Sequence, residues 1–76
     1  MRFRHKQQLR VEIAKRLSRE MSFTDDADYA LLWPSIEKVI AQVGDVGTVT
    51  AAMFDQLCDD VARDAYPDRL RRWAFL

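Results

Sequence analysis

His5 and Cys58 are the only histidine and the only cysteine in the chain, so they come first when chemistry is sought. A nucleophilic cysteine needs a base or a cation close enough to lower its pKa. Cys58 instead shares an apolar stripe with Phe54, Leu57, Val61 and Ala65, the position of a small buried hydrophobe. His5 stands between Arg4 and Lys6 with no neighbour that would make it a general base or a metal ligand, and reads as a solvated side chain. Asp25, Asp26 and Asp28 cluster in the way hard cations favour, but Ala30, Leu31 and Leu32 occupy the region where a calcium loop needs its glycine and glutamate. Those acids suit the positive end of a helix dipole instead. There is no glycine-rich phosphate loop, no serine elbow and no paired-histidine motif. The expectation is a chain that is not an enzyme and carries no catalytic, metal or cofactor-binding residue.

Binding is the function class that remains, and charge is its main signal. The 76 residues are formally neutral, yet the charges are segregated. Seven basic residues against two acids leave residues 1–20 at net +5; residues 21–68 are at −8; Arg69, Arg71 and Arg72 return +3. Such blocks either neutralise one another within the fold or steer different partners from separate faces. The basic candidates for partner contact are Arg2, Arg4, Lys6, Arg10, Lys15 and Arg19. The acidic ones are Asp55, Asp59 and Asp60, and the aromatic anchors are Trp73 and Phe75.

Elements must hold these residues in place, and the sequence reads as helices throughout. With 49% hydrophobic and 32% charged residues it has the composition of one ordinary soluble domain spanning 1–76. A chain of this length buries only about 60% of its unfolded surface, so a partner or a second copy matters for stability. No apolar run reaches the roughly 20 residues that cross a bilayer. The lone cysteine fits a reducing cytoplasm, and the basic start lacks the apolar stretch of a signal peptide, being only loosely compatible with a transit peptide.

Leu9, Ile13, Leu17 and Met21 recur every four positions, which predicts an amphipathic helix over 4–20 with Glu12–Arg16 and Arg16–Glu20 pairs on its outer side. Thr24 or Asp25 is the candidate N-cap of the next helix. Tyr29, Leu32, Ile36, Val39 and Val43 keep one apolar stripe in phase across Pro34, which points to one kinked helix. The competing reading is a helix ending near Leu32 and a second with Pro34 in its first turn. Gly44 reads as a helix stop, and GDVGTV as a loop. Thr50 caps a helix over 51–65, with Val49 and Phe54 placed as a hydrophobic staple. A short final helix begins at Pro67 and Asp68. On it Leu70 and Trp73 share the core face while Phe75 points away. The expected fold is therefore an all-α bundle of four or five helices. Its expected core is Leu9, Ile13, Leu17, Leu32, Ile36, Val39, Ile40, Phe54, Leu57, Val61, Leu70 and Trp73.

Helix, GDVG turn and helix is also the outline of a helix-turn-helix unit. The helix after the turn offers Asp55, Gln56, Asp59, Asp60, Arg63 and Asp64, four acids to one base, and a polyanion repels that face. Nucleic acid would have to meet the basic first helix instead. The stretch DVARDAYPDRLRRWAF resembles a segment of the theta subunit of bacterial DNA polymerase III, a small helical accessory protein family. That resemblance implies protein binding in a replication complex rather than catalysis. It spans only this stretch, needs a one-residue gap, lies mid-chain in that family, and carries over no family assignment and no site residue.

The function expected is a cytoplasmic, non-catalytic protein-interaction module, a regulatory adaptor or inhibitor of the sort small mobile-element genes often encode. Its partner is another protein, with a homo-oligomer as a second possibility and no membrane involved. The alternative is a nucleic-acid-binding regulator that uses the basic N-terminal helix.

Overall fold

The computed structural model describes residues 3–22 and 26–67, with the backbone alone at Asp26 and Asp28. Helix α1 spans Lys6–Glu20 and buries Leu9, Ile13, Ala14 and Leu17, the four-residue rhythm seen in the sequence. Its last turn closes when the amide of Met21 donates to the carbonyl of Leu17 at 2.9 Å. Ser22 then takes a left-handed backbone with φ 54°, the conformation that commonly ends helices.

Helix α2 spans Asp26–Ile40 with Pro34 inside it, so the chain does not divide into two helices there. Proline removes one amide donor and crowds the preceding turn. Against that local cost stand Leu32, Ile36, Val39 and Ile40, all buried on the stripe that runs through the proline. Pro34 itself is on the exposed side. The end of α2 also differs from expectation. The helix stops at Ile40, where Gln42 and Val43 amides donate to Val39 and Ile40 carbonyls at 3.1 and 2.9 Å and tighten the last turn. Gly44 has no left-handed backbone and plays no capping part. What turns the chain is burial of Val46 and Val49, with a 3-10 turn at Val46–Thr48 between them. The Asp45 carboxylate accepts from the Gly47 amide at 2.9 Å, and the Asp45 carbonyl accepts from the Thr48 hydroxyl at 2.7 Å.

Helix α3 spans Ala51–Ala65, capped by Thr50, whose hydroxyl accepts from the Met53 amide at 3.2 Å. Val49 and Phe54, on either side of that cap, are both buried. Among the described residues the fold is all-helical, with three α-helices in place of the four or five expected. One supposed break is absent, and the helix expected from Pro67 lies outside the described residues. The same holds for Leu70 and Trp73 as core residues and for Thr24 and Asp25 as caps.

Each helix packs on the other two around one core. Phe3, ahead of α1, belongs to it: its ring stacks on Phe54 with centroids 5.8 Å apart. Leu57, expected to be buried, is only partly so.

Candidate interaction site

The basic face of α1 is partly consumed inside the fold. Arg10 reaches α2, where its Nε lies 2.5 Å from Glu37 Oε1 and its Nη2 donates to Glu37 Oε2 at 3.2 Å. Arg16 reaches α3 and pairs with Asp55, while its Nε donates to Glu20 one turn on at 3.0 Å. Its guanidinium also lies 5.6 Å from the centre of the Phe54 ring, within cation–π range. The Glu20 hydrogen bond, followed by that to Asp55, holds the Arg16 pKa above its already high ordinary value. Glu12 pairs with Lys15 at 3.6 Å, so the expected Glu12–Arg16 contact is replaced by a neighbouring one.

These pairings divide the proposed contact residues. Arg10 and Asp55 tie helices together, and Asp60 accepts from Gln56 Nε2 at 2.9 Å. Arg4, Lys6, Arg19 and Asp59 are exposed and make no ion pair among the described residues. Lys15 is exposed with only the long Glu12 contact. Arg2, Trp73 and Phe75 lie outside the described residues. Of the bases open to a nucleic acid, Arg10 is held by Glu37 and Lys15 lies 3.6 Å from Glu12.

Cys58 is buried on α3, and burial pushes its thiol up to about 12, with Arg16 acting more weakly in the opposite direction. The side chain is thus a protonated thiol at neutral pH, unsuited to nucleophilic attack. His5 is the exposed N-cap of α1 and makes no side-chain capping bond. Among the described residues no three His, Cys, Asp or Glu side chains gather as a metal site, and no helix is long and apolar enough to cross a membrane.

Two surfaces went unnoticed in the sequence. The first is the outer side of α2. Leu31 is 60% and Trp33 40% exposed, and Ala27, Ala30 and Pro34 beside them are exposed too. Ala27, Ala30, Leu31 and Pro34 follow the spacing of one helix face, so the signal was present as a second apolar stripe opposite the first. It was hidden because nearly every position from Tyr29 to Trp33 is apolar.

The second surface is a groove of about 530 Å3 between the C-terminal half of α2, the loop after it and α3. Val39, Val43, Met53 and Leu57 supply its apolar lining; Asp45, Asp60 and Asp64 against Lys38 supply its charge. Asp64 anchors one end by accepting from the buried Ser35 hydroxyl at 2.7 Å and from Lys38 Nζ at 3.1 Å. The Ser35 hydrogen bond, with Lys38 adding to it, lowers the Asp64 pKa.

The chain matches no protein-family model, no curated protein and no solved structure.

Proposed function

We propose that this chain is a small, non-catalytic protein-interaction module, an adaptor or inhibitor working in the cytoplasm, whose protein partner lays an amphipathic helix along the outer face of α2. The observation that carries this reading is the exposure of Leu31 and Trp33 beside Ala27, Ala30 and Pro34, a helix-wide apolar strip on the protein surface. Burying a side chain of this size contributes about 1.5–3 kcal/mol, whereas an exposed charge pair contributes about 0.2–1 kcal/mol. Apolar anchors on α2 therefore outweigh the charged rims of α1 and α3 as the source of affinity. The free charges, Arg4, Lys6, Arg19 and Asp59, then steer the encounter.

Affinity capture with mass spectrometry, run side by side on the native chain and a Leu31→Asp, Trp33→Ser variant, tests the reading. Both side chains are substantially exposed, so the variant keeps its helix content in circular dichroism. A stoichiometric protein retained by the native chain at low and high salt and lost by the variant is the expected result. Equal capture by both, or no stoichiometric protein together with a plain monomer in light scattering, overturns it. A nucleic acid retained through Arg4, Lys6 and Lys15 and shed in high salt would favour the alternative.

A further inference from the structure

We infer that the groove between α2 and α3 is the docking site of the chain's own residues 68–76, which fold back from Pro67 along α3. The groove carries Asp45, Asp60 and Asp64 against Lys38, a net of two negative charges, and residues 68–76 carry Arg69, Arg71 and Arg72 against Asp68, a net of two positive charges. Elsewhere the middle of the chain is short of cations, with only Lys38 and Arg63 between Met21 and Asp68. Of the chain's two basic blocks, residues 1–20 and 69–72, the second is the one that follows α3 directly.

Met53 is 45% exposed and Leu57 and Val43 are only partly buried, so the groove leaves apolar surface in contact with water. Residues 68–76 bring four large apolar side chains, Leu70, Trp73, Phe75 and Leu76. Covering one surface with the other removes both from water.

Position permits it. Asp64, fixed at one end of the groove by Ser35 and Lys38, stands three residues before Pro67. Tyr66 has already left the helical backbone, with φ −136° and ψ 59°, so the chain changes direction before the proline. From Asp64 to Met53 the groove follows α3 for about 16 Å at 1.5 Å per residue. Nine extended residues reach up to about 30 Å, enough to turn and run back along it.

Trp73 is the built-in probe, once Trp33 is replaced so that its emission is isolated. In the Trp33→Phe chain of residues 1–76, the inference expects blue-shifted Trp73 emission and iodide quenching several-fold weaker than for a free tryptophan amide. Met53→Lys or Asp60→Lys, neither of them in the core, should shift the emission to the red and restore quenching, with helix content unchanged in circular dichroism. Asp45→Lys provides a third position if either variant loses helix. Emission and quenching should not change on serial dilution. Trp73 quenched like the free amide overturns the inference. So does a shielded Trp73 indifferent to all three substitutions, since it then packs elsewhere. Shielding that is lost on dilution overturns it as well, because the occupant is then a second copy of the chain. No partner is present in this experiment, so its outcome is separate from that of the α2 face.

Discussion

Asp64 shows how one carboxylate can join two helices and read pH at the same time. Its oxygens accept from Ser35, the one buried polar residue of the described core, and from Lys38 on the next turn of α2. Both contacts favour the ionised form, so the folded pKa lies below the unfolded value. A group lowered in this way gives its full stabilisation above the unfolded carboxylate value, about 3.9, and loses it as pH falls through the lowered folded value. Asp64→Asn is therefore expected to be less stable than the native chain at neutral pH and to converge with it in strong acid. Denaturant unfolding of both proteins across that pH range checks this, and a constant gap between them would deny Asp64 its role. Cys58 makes the opposite point at the same scale. Its thiol is pushed up to about 12 by burial, as suits a small side chain packed among apolar neighbours.

At the scale of the element, α2 is where local preference and packing disagree. Proline in a helix interior costs about 3 kcal/mol relative to alanine, and Pro34 sits nine residues into a fifteen-residue helix. The helix survives because Leu32, Ile36 and Ile40 are buried on the opposite side. Since Pro34 is exposed, replacing it removes the penalty without opening a cavity. Pro34→Ala is expected to raise unfolding stability by about 1–3 kcal/mol, read as a higher denaturant midpoint at an unchanged slope. A lower midpoint would mean that the proline is itself needed for packing on α1 and α3. Helix α3 has no such conflict. Thr50, Val49 and Phe54 announce its start in the sequence, and the structure caps it with Thr50 and buries both Val49 and Phe54.

For the whole molecule, Phe54 is the meeting point of three segments. Phe3 stacks on its ring, Arg16 of α1 lies over it, and it anchors the first turns of α3. The interhelical ion pairs Arg10–Glu37 and Arg16–Asp55 involve partly exposed side chains, and pairs of that kind contribute about 0.2–1 kcal/mol each. Removing a buried phenylalanine costs about 3–5 kcal/mol. The core therefore holds the helices together, and the ion pairs add little to it. Phe54→Ala is expected to lower unfolding stability by about 3 kcal/mol or more, while Asp55→Asn lowers it by less than about 1 kcal/mol. Denaturant titration of the two variants decides between them; losses of equal size would mean that the Arg16 contacts carry the junction.

The helical class, the span of α3, the buried stripe through Pro34 and the burial of Cys58 were all legible in the sequence. Each depends on spacing along a single helix, and spacing is fixed by 3.6 residues per turn whatever else the chain does. The tertiary structure decided which charges are spent. Arg10 and Glu37 are 27 residues apart, and Arg16 and Asp55 are 39, so only the way the helices cross brings them together. It also decided that Ser35 goes inside while Leu31 and Trp33 stay out, against their polarity. In so apolar a helix either side could have been the core, and which one was chosen depends on where α1 and α3 lie, a fact no local pattern contains.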